Sequence, residues 1–168
     1  MGTLTWIRAD TFNMFSEWLS RDYEVYGLAY MEDLGLKFVQ CRVDPAKKLV
    51  TRKGKMPVAT FHTHPFGCGK LGSCFYQAPS ETDMYTFRQL ANSHSIKHHI
   101  VIGLIYVWIV EIRDARCSTF QDLMESMENL KKRFLCVTAH EKAWLHLVST
   151  HPCCLLVKRT RIRALNSA

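Results

Sequence analysis

The longest apolar run in the chain, residues 100–110, reads Ile-Val-Ile-Gly-Leu-Ile-Tyr-Val-Trp-Ile-Val. It is about half as long as a membrane-spanning helix must be, and it is β-branched and aromatic. Those properties predict a fully buried strand, extending to about residue 112. A strand of that kind needs other elements around it, and the rest of the chain supplies both helical and extended patterns.

Asp10 can cap a helix in which Phe12, Phe15, Trp18 and Leu19 recur at helical spacing. Extended segments follow at 25–31 and 36–43, joined by Glu32-Asp33-Leu34-Gly35 as a hairpin connection. Residues 44–55 are polar and basic and read as a loop, and 58–62 read as a short strand. Glycines and prolines make 65–79 a second loop, with a helix from 80 to about 93 behind it. Phe120, Leu123, Met124, Met127 and Leu130 give 119–134 an amphipathic period, with the apolar positions turned to the core. A further helix covers 138–148 and stops at Pro152, and 153–157 form a last strand. No internal repeat appears. The order is mixed α and β within one domain, 1–157, followed by a basic mobile tail, 158–168.

The chain of 168 residues is 48% hydrophobic and 22% charged, enough for a core without disulfides. Its start, Met-Gly-Thr-Leu-Thr-Trp, has no basic region before an apolar one, and Trp6 does not fit a myristoylation signal. Seven scattered cysteines with no C-x-x-C pair suggest buried thiols in a reducing compartment. A cytoplasmic or nuclear location without membrane insertion follows as the expectation. The net charge of +7 gathers at Lys47, Lys48, Arg52, Lys53 and Lys55, at Lys131, Lys132 and Arg133, and at Lys158, Arg159, Arg161 and Arg163. A solvated basic face explains such patches more often than a nucleic-acid partner does.

The chemistry concentrates in Phe61-His62-Thr63-His64-Pro65 and Pro79-Ser80-Glu81-Thr82-Asp83. Residues two apart on a strand share a face, so His62 and His64 can offer imidazoles to one ion. Asp83, one turn inside the next helix, adds an oxygen. Two nitrogens and one carboxylate leave a fourth tetrahedral position, the pattern of a catalytic zinc site. Each half also has a plainer explanation: two surface histidines, and a helix capping box made by Ser80 and Asp83. His94, His98 and His99 straddle a helix end and a strand start, where helix electrostatics accounts for a histidine.

Together the two halves resemble the signature of the JAMM/MPN metallopeptidase family: a glutamate, then His-x-His-Pro, then Ser-x-x-Asp. The matching residues are Glu24 in Glu24-Val25-Tyr26-Gly27-Leu28, His62-Thr63-His64-Pro65, and Ser80-Glu81-Thr82-Asp83, and the resemblance spans roughly 10–115. It implies an MPN/JAB-like α/β domain, a mixed central sheet flanked by helices in cytidine-deaminase-like layering. It further implies Zn2+ on His62, His64 and Asp83, Glu24 as proton shuttle for the metal-activated water, and Ser80 stabilising the tetrahedral intermediate. The implied activity is that of an isopeptidase, deubiquitinase-like, with ubiquitin or a ubiquitin-like protein as substrate. Homo- or hetero-dimerisation through helices is implied too. The segment between His64 and Ser80 is longer than the family norm and is expected to control substrate access. Cys68 and Cys74 within it, with His151 or Cys153, are candidates for the second zinc that some members carry. The alternatives are a non-catalytic MPN scaffold and a RadC-like protein tied to DNA through the basic loop and tail. Retention of every metal ligand favours the enzyme.

Overall fold

The computed structural model describes residues 7–45, 54–65, 77–94, 96–133 and 137–161. In chain order these form α1 (Ala9–Leu19), β1 (Tyr26–Glu32), β2 (Gly35–Cys41), β3 (Ala59–Thr63), α2 (Glu81–His94), β4 (His98–Ile102), β5 (Tyr106–Ile112), α3 (Phe120–Arg133), α4 (Val137–Ser149) and β6 (Leu155–Arg161). The fold is mixed α/β, with the strands in one six-stranded sheet ordered β2-β1-β3-β4-β5-β6.

The β1–β2 hairpin turns on Asp33 and Leu34, and Gly35 takes the positive φ of 122° that closes it. β1 also pairs antiparallel with β3, placing Tyr26 opposite His62. β3 and β4 run parallel, which requires a crossover, and α2 supplies it. In their register Thr60 faces His99 and His62 faces Val101.

Side-chain alternation sends the sheet's apolar residues into two cores. Ala29, Phe38, Phe61, Ile100, Ile102, Val107 and Ile109 pack with Phe12, Phe15 and Trp18 of α1. Val101, Trp108, Val110 and Ile112 pack with Met84 and Phe87 of α2, with the buried face of α3, and with Trp144 and Val148 of α4. One helix therefore covers one face of the sheet and three cover the other. The amphipathic residues of α3 are core, as their spacing predicts.

Four expectations are corrected. The run through 100–112 is two strands, because Gly103 turns the chain and its N–H donates to the Tyr106 carbonyl at 2.9 Å. Leu104 and Ile105 occupy that turn and are exposed, so apolar character there does not mean burial. The last strand does not stop at Val157 but runs to Arg161, pairing with all of β5. Lys158, Arg159 and Arg161 thus belong to the sheet and not to a tail. Arg8, not Asp10, precedes α1 as its N-cap, and Asp10 in the first turn pairs with it at 3.0 Å. Finally, Cys117 and Cys154 form a disulfide across a separation of 37 residues, while Cys41 and Cys153 are free. Arg113 N–H donates to the Cys154 carbonyl at 3.0 Å, which brings the two cysteine segments side by side.

Among the described residues, no helix is long and apolar enough to cross a membrane. The basic residues Lys47, Lys48, Arg52, Lys53 and Arg163, the segment 66–76 with Cys68 and Cys74, and the chain start with Trp6 lie outside the described residues.

Candidate metal centre

Phe61 points into the α1 core, so its neighbours Thr60 and His62 emerge on the α2 side of β3. His64 follows immediately after the strand. Its backbone N–H donates to the Ile102 carbonyl at 2.8 Å, which pins it beside the end of β4. On the His64 ring, Nδ1 lies 3.3 Å from the Gln77 carbonyl, an acceptor that takes the Nδ1 proton and leaves the Nε2 lone pair facing His62. Gln77 is itself held, its Oε1 accepting from the Leu104 N–H at 2.8 Å.

Asp83 arrives on the first turn of α2. Ser80 Oγ accepts from Asp83 N–H at 3.1 Å, and Asp83 Oδ2 accepts from Ser80 N–H at 2.8 Å. This is a reciprocal capping box. The two readings of Ser80-x-x-Asp83 are therefore compatible, because the capping contact is what aims the carboxylate at the histidines.

His62 Nε2 lies 2.9 Å from His64 Nε2 and 3.2 Å from Asp83 Oδ2, and His64 Nε2 lies 3.4 Å from Asp83 Oδ2. Tetrahedral ligands at bond lengths near 2.0–2.1 Å would stand roughly 3.3 Å apart. The donor triangle brackets that spacing, and its chemistry, two imidazole nitrogens and a carboxylate oxygen, suits a divalent transition ion. His62, His64 and Asp83 can thus hold a metal ion.

The electrostatics agree. Burial opposes ionisation of Asp83, but the His62 charge and hydrogen bond, with His64 behind them, outweigh it and hold the carboxyl well below its usual range. Burial likewise pulls His62 down, yet the Asp83 charge and hydrogen bond win and raise it. A buried cation and anion are stabilised together, and a metal can replace the proton.

The His62 and Asp83 corners of the triangle border a cavity of about 300 Å³ lined among others by Glu24, Tyr26, Asp44, Ser80 and Thr86. Glu24 stands just before β1, and Tyr26 Oη donates to its Oε2 at 2.5 Å. Burial first, and then that hydrogen bond, push the Tyr26 phenol well up. The Tyr26 ring also lies against His62, with centroids 6.1 Å apart. All five sequence-derived residues, Glu24, His62, His64, Ser80 and Asp83, therefore converge on one site.

Sequence reasoning missed His99. Its Nε2 lies 2.8 Å from His62 Nδ1, and its Nδ1 lies 2.6 Å from Thr60 Oγ1. Burial, and secondarily the charge of His62, push its pKa down to about 3. Only the pairing of β3 with β4 reveals this contact; the sole hint in the sequence is a histidine inside a buried strand. The chain matches no family model, no characterised protein and no solved structure with which it was compared.

Proposed function

We propose that this protein is a zinc-dependent metallohydrolase of JAMM type, cleaving the C-terminal linkage of ubiquitin or a ubiquitin-like protein. The observation that carries the reading is the His62–His64–Asp83 donor triangle opening onto a cavity that also presents Glu24 and Ser80. When bound, zinc lowers the pKa of a coordinated water from ~16 to about 7. Glu24 takes up the proton released at the nucleophile and returns it to the leaving amine. Tyr26, donating to one Glu24 oxygen, fixes the carboxylate and leaves its second oxygen for that exchange. The Ser80 hydroxyl has one proton to donate while its oxygen accepts from Asp83, so it can meet the developing oxyanion. Asp83 keeps its negative charge across the working pH range and offsets that of the ion.

The scaffold and DNA readings draw less support from the site. A scaffold has no need of three converging ligands, and two of the basic residues are internally paired, Arg159 with Glu141 at 3.1 Å and Lys131 with Glu81 at 3.0 Å. Elemental analysis of the purified chain, alongside a screen of ubiquitin-like fusions, tests the proposal. Stoichiometric zinc with chelator-sensitive cleavage is the expected result; a metal-free chain active in excess chelator overturns it.

A further inference from the structure

His62 presents Nε2 to His64 and Asp83, so a metal there takes the Nε2 lone pair and the ring proton must sit on Nδ1. That proton has an acceptor 2.8 Å away, His99 Nε2. A neutral imidazole that accepts at Nε2 carries its own proton at Nδ1. His99 Nδ1 then donates to Thr60 Oγ1 at 2.6 Å. Once the metal occupies the triangle, the tautomer of each histidine in this line follows from the one before it.

We propose that His99 is a positioning residue for metal binding, the centre of a Thr60–His99–His62 relay that fixes the tautomer and ring orientation of His62. The relay rests on the metal-binding part of the functional reading and is independent of any hydrolysis. Its members are set by strand register, Thr60 standing opposite His99 on the parallel β3–β4 pair, with Thr60 and His62 on the same face of β3. Phe87 of α2 packs beside the His99 ring with centroids 5.4 Å apart, and the His62 and His99 rings lie at 29° to one another. Thr60, His62 and His99 are all buried, so removing the acceptor at His99 leaves the His62 N–H without the partner that the fold holds in line with it. A metal-bound histidine usually passes its second N–H to a carboxylate, a carbonyl or water. Here the acceptor is a neutral imidazole, so Asp83 remains the anion among the ligands and His62 donates without being drawn toward imidazolate.

The test uses the full chain and zinc, with affinity measured by competition against a chromogenic chelator. His99→Phe keeps the ring shape and removes the acceptor, so zinc binding should weaken roughly 10–100-fold. His99→Gln can still accept at the Nε2 position and should recover part of that loss. Thr60→Val removes the end of the relay and should cost less than His99→Phe. Circular dichroism and melting of the metal-free variants separate this from unfolding. Long-range 1H–15N correlation on the zinc-loaded wild type should show His62 and His99 both protonated at Nδ1. A folded His99→Phe binding zinc as tightly as wild type overturns the relay and leaves the metal site standing, as does His99 protonated at Nε2. If His99→Phe does not fold, Thr60→Val and the tautomer measurement decide. A wild-type chain that takes up no zinc overturns the metal reading and the relay together.

Discussion

Asp83 Oδ2 accepts a 2.8 Å hydrogen bond from the Ser80 N–H while lying 3.2 Å from His62 Nε2. The start of α2 and the metal site therefore share one oxygen atom. Ser80→Ala keeps that backbone N–H but loses the side-chain cap on Asp83 N–H. The expected cost is about 1 kcal/mol, or roughly 2–4 °C in Tm for a chain of this size. Zinc content should be retained, whereas kcat should fall about 10²–10³-fold if the hydroxyl meets the oxyanion. Melting, metal analysis and kinetics on one preparation separate the two roles. Loss of zinc with retained Tm would reverse the assignment.

Metal and proton compete for His62. In the metal-free protein its raised pKa makes the His62–Asp83 pair stabilising below the unfolded histidine value near ~6.5, and that contribution fades as pH rises through the folded value. The depressed Asp83 contributes above its unfolded value near ~3.9 and loses that contribution as pH falls through its lower folded value. The pair therefore helps the metal-free fold most between about pH 4 and 6.5. Zinc must expel the His62 proton, so its affinity should fall about tenfold per pH unit below the raised value. Melts with zinc and with chelator from pH 5.5 to 8 should show a zinc-induced rise in Tm that grows with pH. A rise independent of pH would remove His62 from the ligand set.

The ligands were legible because each rests on local geometry: period two along β3 for the histidines, a three-residue helix start for Ser80 and Asp83. His99 was not, since its role arises from a register between strands joined through α2, and nothing within a few residues of it encodes that register. The turn at Gly103 was hidden by Leu104 and Ile105, which continue the apolar run although exposed. The basic end of β6 hides its strand character for a related reason. Arg159 looks like tail composition, yet its guanidinium stacks 4.1 Å from the Tyr106 ring centroid and pairs with buried Glu141. These partners lie on β5 and α4, out of reach of any local window. The Cys117–Cys154 bridge likewise joins segments separated by α3 and α4.

Gly27 sits mid-strand in β1, where a side chain would ordinarily stabilise the sheet. A Cβ there would collide with the Val39 carbonyl of β2 and the Phe61 ring. The backbone atom cannot yield, and Phe61 is clamped between Trp18 and Phe38 in the α1 core. Gly27→Ala should therefore cost about 1–3 kcal/mol from overpacking. Because Gly27 directly follows Tyr26, which stands opposite His62 and holds Glu24, turnover should suffer as well. Denaturant unfolding checks it; a variant as stable as wild type would show that β1 and β2 lie farther apart.

Glu24 and Tyr26 give the closest test of the proposed chemistry. Asp22, Glu32 and Asp33 are the acids nearest Glu24 in sequence, but Glu32 and Asp33 lie at the hairpin end of β1, and Lys37 pairs with Glu32 at 3.7 Å. Glu24 alone of these four lines the cavity beside His62. Glu24→Gln keeps the shape and loses the ability to take a proton, so turnover should fall at least 10²–10⁴-fold, about the range for a general acid–base group. Zinc content and Tm should hold. Tyr26→Phe keeps the ring against His62 and removes only the hydroxyl donor 2.5 Å from Glu24. The freed carboxylate keeps its charge but loses its fixed direction, so kcat should drop about tenfold with KM little changed, the effect of losing about 1.4 kcal/mol of orientation. In the double variant the Tyr26 effect should vanish, because a donor that acts through Glu24 has nothing left to position. Additive losses in the double variant would mean that Tyr26 acts on the substrate directly, and full activity of Glu24→Gln would remove Glu24 as the proton carrier.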